Sequence, residues 1–224
     1  MSLLDQLFKA LFKQAKKSAR KQVKSTFASK PRARQPERRP LPPVVIPPPI
    51  YLPSPPRHSF VVVDLETTGL RPEMNSIVEI GALRVDQDGN VIDQWQTLLR
   101  TPNPLSRKII ELTGITQDMV DRHGVDPKKA LAAFTAFAGG SPMVAYNAPF
   151  DARFLYGANA RHGLDFAAPF YCALKASRKA FPGLPGYKLG EVAAHCGLDT
   201  SGADRALADC QMTHQVYMAA LRSL

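Results

Sequence analysis

Runs of apolar and β-branched residues predict strands in the C-terminal part of the chain. Phe60–Asp64, Ile77–Val85 and Val91–Leu99 have this composition, and the Asp-Gly pair between the last two is typical of a hairpin. A short strand is predicted at Met143–Tyr146. Apolar residues at helical spacing predict six helices: Ser106–Leu112, Lys128–Phe137, Phe150–His162, Ala173–Phe181, Leu189–Cys196 and Ala203–Leu221. Hairpin strands followed by alternating helices predict an α/β fold with a mixed sheet flanked by helices.

The N-terminal part of the chain has a different pattern. In residues 1–27, leucines, phenylalanines and alanines recur at helical spacing while lysines lie largely off that stripe, which predicts a basic amphipathic helix. Residues 28–58 hold 11 of the 20 prolines and are expected to form an extended, proline-rich linker. Residues 59–224 have the size of one globular domain. The sequence therefore predicts three parts: a helical arm, a tether and a domain.

The net charge of +10 resides in the arm and linker. Residues 1–58 carry 13 of the 29 Lys and Arg residues but two of the 19 Asp and Glu residues, so their net charge is +11 and that of the remainder is −1. A basic amphipathic arm can bind a protein partner, nucleic acid or an anionic membrane surface, or it can be a solvated extension. The sequence does not choose among these alternatives.

Cysteine usage and hydropathy indicate the compartment. The three cysteines are odd in number and lack CxxC spacing, which argues against a disulfide framework and a thiolate zinc site. No apolar run approaches the roughly 20 residues that span a bilayer, and no secretion signal is evident. We therefore expect a soluble, cytoplasmic protein.

Two carboxylates end the first predicted strand, in the stretch FVVVDLETTGL. Asp64 and Glu66 are two residues apart, so their side chains point to the same face of an extended chain. Like charges that close repel each other unless a cation lies between them. The pattern therefore predicts a cation site at the end of this strand.

Two further aspartates occur at chemically suggestive positions. Asp151 follows the strand Met143–Tyr146 in the first turn of a predicted helix, and Asp209 lies inside the last predicted helix. Singly, each is equally consistent with a helix-dipole partner or a surface acid. Together with Asp64 and Glu66 they can hold two divalent cations, and oxygen-only ligands select Mg²⁺ or Mn²⁺ over zinc. Paired cations of this kind suit phosphodiester cleavage.

Three stretches, VVVDLETTGL, YNAPFDARFL and ADRALADCQMTHQVY, resemble in this order the motifs of the DEDD family of 3′→5′ exonucleases. The likeness is above all to proofreading subunits of bacterial replicative DNA polymerases and their relatives. It covers most of residues 59–224 and none of the arm. It implies a ribonuclease H-like fold and metal-dependent removal of nucleotides from single-stranded or frayed 3′ ends, with DNA as the expected substrate. A DNA polymerase or another protein is then a candidate partner of the arm.

The resemblance also implies roles for individual residues. The acids that hold two Mg²⁺ or Mn²⁺ ions are Asp64, Glu66, Asp151 and Asp209. The residues that line the pocket for the terminal nucleotide are Thr67, Thr68, Gly69, Leu70, Asn147 and Phe150. Thr113 occupies a position that faces the substrate backbone in relatives, although a threonine there can equally end a helix.

One position departs from the family pattern. In the histidine subclass, the general base is a His five residues before the last Asp, and here that residue is Asp204. The tyrosine subclass places a Tyr four residues before, and here that residue is Arg205. Asp204 is thus a helix N-cap, a poor substitute base or an inactivating substitution. Loss of a general base typically costs about 10²–10⁴-fold in rate, so we expect weakened activity.

Overall fold

The computed structural model of the 224-residue chain describes residues 40–52, 58–200 and 205–224. The amphipathic helix predicted for residues 1–27 lies outside these ranges, and so does Asp204.

The centre of the domain is one mixed sheet of five strands. They are β1 (Phe60–Thr67), β2 (Ile77–Val85), β3 (Val91–Leu98), β4 (Met143–Ala145) and β5 (Phe170–Cys172). Their order in space is β3-β2-β1-β4-β5. β1, β2 and β3 pair antiparallel, whereas β4 and β5 continue the sheet in parallel. β1 is the central strand, and Val61, Val62 and Val63 are fully buried in it.

Seven helices complete the described part of the chain: α1 (Arg107–Thr113), α2 (Gln117–His123), α3 (Pro127–Ala138), α4 (Ala148–Arg161), α5 (Ala173–Ala180), α6 (Leu189–His195) and α7 (Ala206–Arg222). α3 and α4 bury residues such as Phe134 and Leu155 against one face of the sheet. α6 and α7 bury Val192 and Tyr217 against the other face. The predicted mixed sheet flanked by helices is confirmed. In the ranges that the structure describes, no helix combines the length and apolar content needed to cross a bilayer.

The structure differs from the sequence prediction most at α2, β5 and the end of β1. α2 was not predicted because it buries a single residue, Val120, and has no apolar stripe. β5 was not predicted because it has three residues and depends on parallel pairing with β4. β1 continues three residues beyond Asp64, since pairing with β2 is maintained to Thr67 across an irregularity in the register.

Residues 40–52, here called the proline strap, lie against the domain although they belong to the predicted linker. Ile50 accepts a backbone hydrogen bond from Phe170, and Leu52 donates one to Phe170, so the strap pairs with the outer edge of β5. Ile46 packs against the core cluster beside Gly157 of α4. Arg161 donates to the carbonyl oxygens of both Pro42 (3.4 Å) and Pro72 (2.9 Å). The strap therefore runs along α4 to the segment that follows β1.

Candidate metal centre

The end of β1 presents two carboxylates on one face of the sheet. Asp64 lies opposite Gly81 and Glu66 opposite Glu79 in the antiparallel ladder with β2. The alternation of the strand directs Val63 and Leu65 into the opposite core cluster, against α3 and α4. Asp64 and Glu66 therefore share one face, as the spacing predicted, and α7 covers this face of the sheet.

A third carboxylate comes from the first turn of α7. Asp209 donates its backbone N–H to the carbonyl oxygen of Arg205 at 3.0 Å. The helix backbone reaches the sheet closely at Gly81, where a Cβ atom would lie 2.5 Å from the nitrogen of Leu207. The Cys210 thiol donates to the Gly81 carbonyl oxygen at 3.1 Å. A glycine opposite Asp64 thus allows α7 to lie flat enough to bring Asp209 to the end of β1.

These three acids converge. One carboxylate oxygen each from Asp64, Glu66 and Asp209 lies within 4.8 Å of the others. The fourth acid, Asp151, is buried in the first turn of α4. Its negative charge, with those of Asp209 and Glu66, adds to burial in raising the pKa of Asp64 well above its usual value. All four predicted acids are therefore in one electrostatic environment.

Burial is the main cause of the perturbation at Asp151. It raises the pKa of the Asp151 carboxyl to about 8, with a further contribution from Glu66, although hydrogen bonds from its own backbone N–H and that of Leu65 oppose the rise. Raised pKa values in neighbouring carboxyls mean that the site disfavours its own full ionisation. Clusters of this kind are frequent at functional sites.

The side chains fit a divalent metal ion. The donor set consists of carboxylate oxygens only, which is the chemistry that Mg²⁺ and Mn²⁺ prefer. A cation at this point would offset the mutual repulsion of Asp64, Glu66 and Asp209 and lower the raised pKa of Asp64. The cluster is able to hold a divalent ion, and its identity belongs to the proposal below.

The last residue of β1, Thr67, and the residues after it form a compact turn beside the cluster. The Thr67 hydroxyl donates to the Gly69 carbonyl oxygen (2.7 Å), and the Thr68 hydroxyl accepts from the backbone N–H of Ser76 (3.0 Å). Gly69 packs so tightly on Asn75 that a Cβ would lie 2.5 Å from the Asn75 Oδ1. Leu70 is 81% exposed. The four residues predicted for the nucleotide pocket thus lie directly after Glu66, with an apolar side chain left in solvent.

Two more of the predicted pocket residues lie at the start of α4. Asn147 occupies the N-cap position, is exposed, and makes no side-chain capping bond. Phe150 is half-buried against Phe154, with ring centroids 4.9 Å apart. Both are within four residues of Asp151, so they flank the helix start that carries this acid.

Thr113 has a different environment. It is the last residue of α1 and 2% exposed. Its hydroxyl donates to the carbonyl oxygen of Ile109 (3.0 Å) and accepts from the N–H of Ile115 (3.1 Å). This geometry fits the alternative of a threonine that ends a helix, and it leaves almost no surface for a substrate.

The position of the missing general base is not described, because Asp204 falls between the described ranges. α7 begins at Ala206 with Arg205 as its N-cap residue, one residue later than the capping hypothesis for Asp204 requires. His214 is hydrogen-bonded to the Gly89 carbonyl oxygen in the β2–β3 turn at 3.0 Å. His195 stacks edge-on against Phe181. Neither histidine is therefore placed to replace the base.

Sequence reasoning missed one ion pair at this site. Glu79 of β2 is fully buried, and its carboxylate accepts from the Nε (2.9 Å) and Nη2 atoms of Arg205. It also accepts from the backbone N–H of Ala206 (3.2 Å) and from Gln96 Nε2 (2.9 Å). An acid between the apolar residues Val78 and Ile80 of β2 was the available signal, but Arg205 is 126 residues away in the chain.

Comparison with known proteins agrees with the fold and indicates a family. Residues 61–217 match the model of the exonuclease family RNase_T. DNA polymerase III subunit epsilon of Aquifex aeolicus is 33% identical over 168 residues, which is 74% of this chain and 82% of that protein. The PolC-type DNA polymerase III of Thermotoga petrophila is 38% identical over 161 residues, 71% of this chain but 12% of that much longer protein. The zinc-bound E. coli ExoI–ssDNA complex superposes with a TM-score of 0.63 at 20% identity, covering 70% of this chain and 39% of that one.

The chain belongs to the exonuclease family. The resemblance to DEDD exonucleases and to proofreading subunits, first seen in three short motifs, is confirmed, and so is the ribonuclease H-like fold. Of the four acids in those motifs, Asp64, Glu66 and Asp209 converge at the end of β1, and Asp151 accepts a hydrogen bond from the backbone N–H of Leu65.

Proposed function

We propose that this protein is a metal-dependent 3′→5′ exonuclease that acts on single-stranded or frayed nucleic acid, with DNA as its substrate. The observation that carries the proposal is the convergence of Asp64, Glu66 and Asp209 within 4.8 Å, with Asp151 buried beside them. A relative named as a DNA polymerase III subunit, similar over 82% of its length, supports DNA as the substrate.

Two Mg²⁺ or Mn²⁺ ions bound by these acids would supply an acidified water and stabilise the charge that develops on the leaving 3′ oxygen. The chain's own residues bind and orient these ions. Asp64, Glu66, Asp151 and Asp209 hold the ions, and the reluctance of the cluster to ionise fully makes its affinity for cations depend on pH.

The terminal nucleotide is received by the loop after β1 and the start of α4. The exposed Leu70 packs against the last base and separates it from its neighbour, which restricts the site to unpaired ends. Phe150 provides an aromatic wall, and Asn147 offers an amide without a capping bond. Stacking on such side chains tolerates any base, as a proofreading or repair nuclease requires.

Asp204 takes the place of the general base and lowers the rate. An aspartate with an ordinary pKa near 4 is a weak proton acceptor at neutral pH, and the loss of a general base costs about 10²–10⁴-fold. The basic arm, residues 1–27, and the proline-rich residues 28–58 are proposed to hold the domain near its partner or substrate.

A degradation assay tests this function. Single-stranded DNA and RNA oligomers labelled at the 5′ end should shorten progressively in Mn²⁺ or Mg²⁺, and oligomers labelled at the 3′ end should release labelled mononucleotide at once. EDTA and Asp64→Asn should stop the reaction, whereas Asp118→Asn, an exposed acid in the first turn of α2, should not. If wild type and Asp204→His release no more nucleotide than Asp64→Asn does, the exonuclease proposal is wrong.

Asp204 also favours a second candidate function, a nucleic-acid-binding relative with little turnover. This candidate predicts that Mn²⁺-dependent retention of oligomers survives in wild type while degradation is undetectable. Asp204→His separates the two candidates, because restored degradation would identify a site that is complete except for its base.

A further inference from the structure

Glu79 and Arg205 are the charged residues next to the metal centre that the proposed function leaves without a role. Glu79 is fully buried opposite Glu66 in the ladder of β1 and β2, although it carries the same sign of charge as the four metal-binding acids. A buried carboxylate without a cationic partner is strongly destabilising. Glu79 can therefore stay buried beside the other acids because it is paired with Arg205, and the contacts of this pair indicate its role.

The contacts of Glu79 link a strand to a helix start. Arg205 donates through Nε and Nη2, which is the two-pronged geometry that a guanidinium makes with a carboxylate. The Ala206 N–H, at the first position of α7, donates to Glu79 Oε2 at 3.2 Å. Arg205 itself makes no side-chain capping bond, so Glu79 supplies from the neighbouring strand the acceptor that an N-cap side chain normally provides.

This linkage sets the position of Asp209. The carbonyl oxygen of Arg205 accepts the backbone N–H of Asp209, so the residue held by Glu79 is hydrogen-bonded to the residue that supplies the metal ligand. Two residues along β2, Gly81 removes the side chain that would keep α7 away from the sheet. Glu79 fixes the rotation of the first turn of α7 and its distance from the sheet, and Gly81 permits the close approach of α7 to β2.

We propose that the Glu79–Arg205 pair is a positioning device that holds Asp209 in register with Asp64 and Glu66 and thereby sets the affinity for divalent cations. The inference rests on the proposed function, since it concerns the same metal ions. Glu79 and Arg205 are positioning residues and are not themselves ligands.

The charge of Arg205 and its positioning contact would affect cation binding in opposite directions. The hydrogen bond to Glu79 is the main cause of the raised pKa of Arg205, and the negative charge of Glu66 adds to it, so Arg205 places a positive charge near Glu66. If Arg205 acted only through its charge, its removal would strengthen cation binding. If it positions Asp209, its removal weakens cation binding because one ligand is displaced. Loss of partners that orient metal ligands typically costs about 10–100-fold in metal affinity.

The measurement is the Mn²⁺-induced rise in the unfolding temperature of the full-length chain, titrated to give the Mn²⁺ concentration at half effect. Arg205→Lys keeps the charge but loses the two-pronged contact. Glu79→Gln/Arg205→Met removes both charges and leaves the net charge of the site unchanged. Removal of both members of a buried pair is tolerated better than removal of one, because no unpaired charge is left. The double variant should therefore fold even if a variant that disturbs only Arg205 does not.

Arg84→Lys is the matched control. Arg84 lies on β2, the strand that carries Glu79, and it pairs with Asp93 away from the acid cluster. Its side chain is 36% exposed, against 37% for Arg205. We expect Arg205→Lys and the double variant to raise the half-effect Mn²⁺ concentration about tenfold or more. Arg84→Lys should change the metal-free unfolding temperature without altering the Mn²⁺ titration.

A half-effect concentration within about twofold of wild type in the double variant would overturn the proposal, because the pair would then be structural only. Stronger Mn²⁺ binding in Arg205→Met would also overturn it and would assign Arg205 a purely electrostatic effect. Failure of the proposed function is a different result: wild type would show no Mn²⁺-induced stabilisation at all, and Asp64→Asn would behave like wild type.

Discussion

The acid cluster predicts that removal of one buried charge makes the metal-free protein more stable. Asp151 is the most suitable position, because it is buried and burial raises the pKa of its carboxyl from an ordinary 3.8 to about 8. In the unfolded chain the same carboxyl ionises near its ordinary pKa. Folding at neutral pH therefore requires it to take up a proton or to hold a charge away from water, and both cost free energy.

The magnitude follows from the size of the pKa shift. Each unit corresponds to about 1.4 kcal/mol, so at pH 7 the metal-free protein loses up to about 4 kcal/mol at this residue. Asp151→Asn keeps the shape but cannot ionise, and we expect it to raise the free energy of unfolding in EDTA by about 2–4 kcal/mol. Since the folded-state pKa is raised, the penalty is absent below about pH 4 and grows as the pH rises to about 8, and the gain from the substitution should grow in the same way.

Urea denaturation in EDTA at pH 4.5, 6 and 8 measures this effect. The control is Asp118→Asn, the same substitution in the first turn of α2, where the side chain is 67% exposed and paired with Arg122. It should cost at most about 1 kcal/mol. With Mn²⁺ present, Asp151→Asn should be less stable than wild type, because it loses a ligand of the metal ion. If Asp151→Asn lowers the stability of the metal-free protein at pH 8 as Asp118→Asn does, the electrostatic reasoning is refuted.

Three further substitutions have defined outcomes. Gly81→Ala should lower the free energy of unfolding by about 2 kcal/mol or more in urea titrations, because its Cβ would overlap the backbone of α7. An unchanged midpoint of the urea transition would contradict this close approach of α7 to β2. Leu70→Ala should reduce kcat/KM for single-stranded oligomers about tenfold, the equivalent of about 1.5 kcal/mol of lost apolar burial, while the unfolding temperature stays constant because Leu70 is exposed. Ile46→Asp should release the proline strap and speed its cleavage in limited proteolysis followed by mass spectrometry, and equal cleavage of wild type would argue against docking.

The local features of the site were predictable from the sequence. Asp64 and Glu66 could be placed on one face because a strand alternates every two residues, and this holds whatever the strand pairs with. Asp151 could be placed in a first helical turn from the strand and helix pattern around it. Each of these predictions depends only on neighbours in the chain.

Features that depend on distant partners were not predictable in the same way. In the sequence Glu79 is an acid between two apolar residues of β2, and its partner Arg205, at the start of α7, is 126 residues away in the chain. β5 has three residues and is a strand because β4 and residue Tyr51 lie on its two sides. α2 begins at a Thr116 N-cap whose hydroxyl accepts from Met119, and its single buried residue gives no periodicity. Local patterns carry no information about such partners.

The docked proline strap would limit the distance between the domain and any partner bound by residues 1–27. A linker of 31 residues, 28–58, would separate arm and domain by up to about 100 Å, since an extended chain spans at most about 3.3–3.6 Å per residue. With residues 40–52 held on α4 and β5, 12 residues, 28–39, are left, and they span at most about 40 Å. Effective concentration falls roughly as the −3/2 power of linker length, so this shortening would raise the local concentration of the domain around a partner held by the arm about fourfold.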